Sequence, residues 1–440
     1  MKPINIGILG LGTVGSGAVG VLRNNAAEIS RRLGRDVNVL MVATRSEEKA
    51  RAVCTPETKV TADPFDVIKH PEIDIVVELF GGTDIAKDLV LQAIENGKHV
   101  VTANKKLLAE YGNEIFALAE QKNVMVNFEA AVAGGIPIIK ALREGLSANN
   151  IRTIAGIING TSNFILSEMR EKGSDFADVL KQAQALGYAE ADPTFDIEGH
   201  DAGHKITIMS ALAFGTPVNF NACYLEGISK LDSRDIKYAE ELGYRVKLLG
   251  ITRKSEKGIE LRVHPTLIPE SRLLANVNGV MNAVRVDADM VGETLYYGPG
   301  AGSLPTASAV VADIIDISRL ITADSGNRVP HLAFQASEVK AQRMLDMDEI
   351  ISSYYLRVEA DDKPGVLGQI ANLLAKENVS IEALIQKGVI DKTNAEIVIL
   401  THSTIEKQIK NAIAEIEALD SVNTPVVMIR MESLHDKRGE

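Results

Sequence analysis

The sequence has little cysteine, no excess of positive charge and no long apolar run, and each shortage excludes something. Two cysteines among 440 residues, Cys54 and Cys223, cannot build a disulfide framework, so a reducing compartment is expected. A formal net charge of −12 leaves no basic excess to draw a phosphate-rich surface. Neither nucleic acid nor an anionic membrane is therefore the expected partner. No segment approaches the roughly twenty apolar residues of a membrane span. The first residues, MKPINIGILGLGTVG, lack the basic flank of a secretory signal and space their glycines for another purpose. A cytoplasmic location follows. The chain also lacks internal repeats and a low-complexity tail.

What is present is an ordinary globular composition, 45% hydrophobic and 24% charged, long enough for two or three domains. Residues 4–9 read as a short buried strand, followed at once by Gly10-Leu11-Gly12-Thr13-Val14-Gly15. A helical pattern then runs to about Leu33, and a second strand occupies 37–43. In this β-α-β setting each glycine has a physical task. Gly10 permits the tight turn, Gly12 lets a pyrophosphate approach the backbone, and Gly15 allows helix and strand to pack closely. The free N–H groups of the helix start complete a dinucleotide site. Where an NAD-specific protein usually places an acid after the second strand, this chain has Arg45, which suits a 2′-phosphate. NADP(H) is expected ahead of NAD(H), although Glu47 and Glu48 are adjacent; an exposed loop charge is the alternative for Arg45.

Strands at 73–79, 98–104 and 124–130, separated by helical patterns, extend a doubly wound parallel sheet. Ligands of such sheets sit beyond the carboxyl ends of the strands. Thr102-Ala103-Asn104-Lys105-Lys106 leaves one of these ends, so Lys105 is placed to reach cofactor or substrate, while Lys106 reads as a solvated lysine. A small-residue loop from Glu129 to Pro137 precedes a helix. A strand at 151–160 ends in Asn159-Gly160-Thr161-Ser162-Asn163, with Thr161 or Ser162 as a helix cap. The boundaries read as a Rossmann-type domain over 1–130, a second α+β domain with an open sheet over 131–320, and a connector over 321–350. A late glycine turn, 298–302, leads into a helix at about 303–320 that returns to the first domain. Residues 351–432 carry the order β-α-β-β-α-β, a ferredoxin-like module. The fold class is α/β.

The chemistry concentrates in residues 183–205. Glu190, Asp192, Asp196, Glu198 and Asp201 fall within twelve residues, Lys205 follows, and the apolar run ITIMSALAF comes next. Asp201 and Lys205 are four apart and share one helix face. Exposed, such a pair is worth about 0.3–0.5 kcal/mol. On a helix apolar nearly all round the pair is buried instead, and a buried lysine exchanges protons nearer neutrality. A dehydrogenase needs a group that protonates the oxygen as hydride reaches the carbonyl carbon. Lys205, held by Asp201, suits that task, and Glu190 suits a substrate ammonium. His200 and His204 lack a third ligand at zinc spacing, and the acidic cluster lacks the spacing of a calcium loop.

With these residues assembled, the chain resembles the homoserine dehydrogenases. The resemblance rests on Ala183-x3-Gly187-Tyr188-Ala189, then Asp192-Pro193-x2-Asp196-Ile197-x-Gly199-x-Asp201-x3-Lys205, together with GLGTVG, TANKK and NGTSN. It implies NAD(P)H-dependent interconversion of aspartate 4-semialdehyde and homoserine, on the route to threonine, methionine and isoleucine. By resemblance Lys205 is the proton donor with Asp201 alongside, and Lys105 acts near the reacting oxygen and the cofactor. Glu190, Asp196, Tyr188 and Thr161 would bind substrate. Leu11, Thr13, Val14, Thr102, Asn159, Gly187 and Gly302 would join the glycines and Arg45 around the cofactor. A structural sodium ion would take oxygens at Glu129, Val132, Gly134 and Ile136. The last domain resembles an ACT domain, which implies an amino-acid effector, threonine foremost, in a homodimer or homotetramer; an inert dimerisation module is the alternative. Two other readings stand beside it: a dehydrogenase acting on a related amino-acid carbonyl, and a sensor that keeps the dinucleotide fold without turnover. The sensor has little use for the Asp201–Lys205 pair.

Overall fold

The computed structural model describes residues 2–389 and 394–434. Its contacts divide them into two units. One holds residues 2–160, 201–223 and 280–342, and the other the remaining described segments.

The first unit is built on a six-stranded parallel sheet. Its order is Lys59–Thr61, Val37–Ala43, Ile4–Leu9, Ile75–Glu78, His99–Thr102 and Val126–Asn127, which reverses direction at the first strand. This is the 3-2-1-4-5-6 order of dinucleotide-binding folds, with its ligand crevice at the reversal. The central strands are buried on both faces, which is why they read as apolar runs without alternation. Ile6, Ile8, Val42, Ile75 and Val77 pack with Ala307, Val310, Ile314 and Ile317 of the helix Ser303–Leu320, all fully or almost fully buried. At about 1.5–3 kcal/mol for each large aliphatic side chain, this helix is a major part of that core. Its start is pinned where Ser303 Oγ donates to Thr13 O at 2.8 Å. A Cβ on Gly17 would collide with Ser303 and Ala307, so the helix Thr13–Asn24 and the late helix touch closely there. Three further strands of this unit pair antiparallel in the order Gly292–Pro299, Met281–Ala288, Ile151–Ile157.

The second unit has one continuous sheet. The hairpin Tyr244–Ser255/Gly258–Pro269 pairs in parallel with Val427–Met431 through Thr266 and Arg430. Ile351–Asp361, Asn394–Thr401 and Ile381–Val389 then follow, all antiparallel. The helices Val366–Lys376 and Glu406–Glu417 cover one face around Tyr354, Leu356, Ile370, Ile399 and Ile409. This is the expected ferredoxin-like module, but its last strand also extends the hairpin. Buried ion clusters line that junction. Arg430 meets Glu406 and Glu226, Arg357 meets Asp235 at 2.6 Å, and Arg262 meets Glu432 at 2.6 Å.

Four local expectations are corrected. The helix to Leu33 is two helices, Thr13–Asn24 and Ala26–Leu33, broken at Asn25. The strand at 124–130 shrinks to Val126–Asn127, because Glu129–Ala131 turns as a 3-10 helix. The strand after 151 ends at Ile157. Thr161 and Ser162 are not caps: the helix Gly160–Lys172 already contains them, and their hydroxyls bond elsewhere. No helix among the described residues is long and apolar enough to cross a membrane.

Candidate active site

In the first unit, Asp201 opens the helix His200–Phe214, whose residues from Asp201 onward are all buried. Lys205 lies one turn on and donates to Asp201 Oδ2 at 2.7 Å and to Ile158 O at 2.7 Å. The other Asp201 oxygen meets Lys105 Nζ at 2.8 Å. Asn159 Nδ2 donates to Oδ2 as well, at 2.8 Å. One carboxylate thus bridges two ammonium groups and an amide. Burial opposes its ionisation, but Lys205 and Lys105 outweigh that and hold the carboxyl far below the usual carboxylate range. Lys105 Nζ is the more accessible of the two, its side chain one-third exposed against one-tenth for Lys205.

Lys105 is aimed by a hydrogen-bond network that includes residues not among the expected site residues. It is the first residue of the helix Lys105–Gln121, capped by Asn104, whose Oδ1 accepts from Leu107 N at 3.0 Å. Asn104 N donates to Thr102 Oγ1, and Thr102 donates to Glu78 Oε2 at 2.5 Å. Glu78, fully buried at the end of its strand, also accepts from Phe80 N. Burial pushes its carboxyl up to about 7, against the hydrogen bonds it accepts. The signal for Glu78 was an acid inside an otherwise apolar run. Lys106 points instead toward Glu110 and is half exposed.

A nicotinamide dinucleotide fits the glycine turn. Gly10 has φ +97°, and a Cβ on Gly15 would lie 2.1 Å from Gly10 O, so neither tolerates a side chain. A Cβ on Gly12 would meet nothing within 4 Å, which leaves space for a phosphate. Gly12 caps the helix without a side-chain bond, so the first N–H groups are available. Leu11 is buried, whereas Thr13 and Arg45 are exposed and Val14 is half-buried. Gly302, at φ +120°, starts the late helix.

The loop expected to hold sodium is a tight, buried turn. Ala133 and Gly134 are consecutive left-handed residues, φ 56° and 50°, which fold the buried loop carrying Glu129, Val132, Gly134 and Ile136. Glu129 is spent on the amides of Ile139 and Lys140, and burial pushes its carboxyl up to about 7. Among the described residues no cluster of three or more His, Cys, Asp or Glu is placed to hold a metal. A hard cation here would therefore rely on carbonyl oxygens. His204 packs edge-on against Phe220, and His200 stacks on Phe195.

In the second unit, the loop 187–196 is gripped at both ends by one helix start. Thr161 Oγ1 donates to Tyr188 O at 2.7 Å and Ser162 Oγ to Asp196 O at 3.0 Å. Gly187 turns the chain at φ +74°, and Tyr188 packs against Phe164. Asp192 caps its own turn through Thr194 N. Glu190 is exposed and Asp196 half-buried.

An open glycine turn on a reversing parallel sheet, sharing its unit with a buried lysine–carboxylate–lysine cluster, fits hydride exchange between a nicotinamide and a carbonyl. The chain is a NAD(P)-dependent oxidoreductase acting on a CH–OH group. Residues 137–315 match the homoserine dehydrogenase family, 10–129 its NAD binding domain, and 354–421 the ACT domain. The chain is 79% identical over 436 residues to the homoserine dehydrogenase of Neisseria gonorrhoeae, covering 99% of this chain and 100% of that one. The crystal structure of a homoserine dehydrogenase from Thiobacillus denitrificans matches with TM-score 0.94 and 62% identity over 99% of each chain. A hyperthermophilic archaeal homoserine dehydrogenase in complex with NADPH matches at 30% identity and TM-score 0.62, over 73% of this chain and 99% of its own. The chain belongs to the homoserine dehydrogenases.

Proposed function

We propose that this enzyme reduces L-aspartate 4-semialdehyde to L-homoserine, in the cytoplasm, with NADPH as its preferred cofactor. The observation that carries the reading is Asp201 held between Lys105 and Lys205 by contacts of 2.8 and 2.7 Å. A bound nicotinamide cofactor supplies the hydride. Lys205 gives the proton to the developing alkoxide, Asp201 keeps the ammonium aimed, and Lys105 stabilises the same oxygen. Glu190 receives the substrate ammonium, with Asp196, Tyr188 and Thr161 shaping its surroundings. Gly10, Leu11, Gly12, Thr13, Val14 and Gly15 cradle the pyrophosphate, Arg45 meets the 2′-phosphate, and Thr102, Asn159, Gly187 and Gly302 line the remainder. Sodium on the oxygens of Glu129, Val132, Gly134 and Ile136 stiffens the loop between sheet and site. The ACT domain takes an amino-acid effector, threonine first, in a homodimer or homotetramer.

The test follows NADPH absorbance on adding aspartate 4-semialdehyde, for the wild type and Lys205→Ala. Turnover that persists in the variant removes Lys205 from the chemistry; no oxidation by the wild type removes the substrate. Adding L-threonine to the same assay tests the effector, and indifference to any amino acid of that pathway leaves the ACT domain as a dimerisation module.

A further inference from the structure

A second buried lysine lies outside this chemistry. Lys247, on the strand Tyr244–Ser255, is 2% exposed. Its three N–H donors meet three neutral oxygens: Val277 O at 2.6 Å, Asn163 Oδ1 at 3.2 Å and Asn278 Oδ1 at 3.2 Å. Among the described residues no carboxylate lies within ion-pair distance of it. An uncompensated buried ammonium costs several kcal/mol in desolvation, more than a packing position requires. Burial pushes it down to about 7, with Arg170 and Arg245 adding repulsion and Glu171 opposing; Tyr244 also borders the site.

Its bonds lead to the substrate loop. Asn163 is itself buried, and its amide donates to Val277 O at 3.1 Å and Gly279 O at 2.9 Å. Ser167, one turn further, donates to Asn163 O and accepts from Gly279 N. The first turn of the helix Gly160–Lys172 is thereby tied to the turn at 277–279 with Lys247 at the knot. Thr161 and Ser162, on that same turn, hold the loop at Tyr188 and Asp196.

We infer that Lys247 is a positioning residue for the substrate loop, acting through Asn163 and the first turn of the Gly160–Lys172 helix. The inference rests on the reading of residues 187–196 as the substrate loop. Lys247 fixes the height and tilt of that turn, and so the placement of Glu190 and Asp196, without touching substrate.

Lys247→Met keeps the volume and removes the donors. It is expected to raise KM for aspartate 4-semialdehyde and for homoserine by roughly tenfold, the scale of losing hydrogen bonds from a charged donor. KM for NADPH and kcat should stay within about twofold, since uniform binding is lost and the chemistry is not. Lys247→Gln, which restores two N–H donors on a shorter stem, should fall between Met and wild type, and it replaces Met should Met not fold. Unchanged KM for both substrates overturns the inference, as does a failure of both variants to fold, which assigns Lys247 a purely structural role. Glu190→Ala is measured in parallel. If it raises KM and the Lys247 variants do not, only the positioning role fails. If it leaves KM unchanged, the substrate-loop reading fails and the inference with it.

Discussion

Lys205 and Lys247 are both buried lysines whose ammonium groups donate to protein oxygens, yet they differ in charge balance. Lys205 meets the carboxylate of Asp201 and the carbonyl of Ile158. Lys247 meets two amide side chains and a carbonyl, none of them charged. At the first centre the charge is compensated, and Lys105 adds a second cation to the same carboxylate. At the second, dipoles alone solvate the ammonium. A compensated lysine can face a reacting oxygen as a fixed cation; an uncompensated one orients neutral groups and carries a pH-sensitive cost. The two demand different tests.

The largest effect is expected at the compensated centre. Lys205→Met should lower kcat by roughly 10³-fold with KM little changed, within the range for removing a general acid. A kcat within tenfold of wild type in a folded variant would erase the functional difference between the two lysines. Next comes the counter-ion. Asp201→Asn leaves two buried or half-buried ammonium groups facing an amide, and should cost about 3 kcal/mol in urea unfolding at neutral pH. A loss below about 1 kcal/mol would mean that solvent, not Asp201, balances the site.

The uncompensated centre predicts a pH signature of opposite sense to the usual salt-bridged lysine. Its folded pKa of about 7 lies below the unfolded value of about 10.4. Between those values the unfolded chain binds the proton that the native chain has released, so native stability rises with pH. Relative to Lys247→Met, the wild type should gain roughly 2 kcal/mol between pH 7 and pH 9. Urea midpoints measured for both proteins across that range decide it. A difference that stays flat or falls would show that Lys247 carries a hidden counter-charge, and the contrast with Lys205 would collapse.

What was legible in the sequence was whatever is local. The strand at 4–9, the glycine turn and the Asp201–Lys205 spacing each depend on residues a few positions apart, and each stands as read. The ferredoxin-like order was legible for the same reason, since every element carries its own period. Partnerships across the chain were not. Nothing in the periodicity links Lys105 to Asp201, or Lys247 to Asn163 and the 277–279 turn, because hydrophobic pattern reports which face is buried and not what it meets. Glu78 sits inside an apolar run and reads from the sequence as part of a strand. The 124–130 strand is shorter than its apolar run because the backbone leaves the sheet after Asn127 and turns as a 3-10 helix at Glu129–Ala131.

A third cation extends the comparison to the surface and predicts the smallest effect. Arg45 follows the strand Val37–Ala43 and is exposed, just before Ser46 caps the helix Glu47–Val53. The acids beside it do not neutralise it: Glu47 turns to Arg51 at 3.3 Å, and among the described residues no carboxylate pairs with Arg45. Lys205 has its counter-charge built in and Lys247 does without one, whereas Arg45 is expected to receive its own from the cofactor. Arg45→Ala should then raise KM for NADPH by about tenfold, the worth of one charge-assisted contact to a phosphate, and leave KM for NADH within about twofold. The split matters more than the size. A 2′-phosphate contact is absent from NADH, so equal effects on both cofactors would mean that Arg45 shapes the pocket generally, and the preference for NADPH would have to come from elsewhere on the crevice.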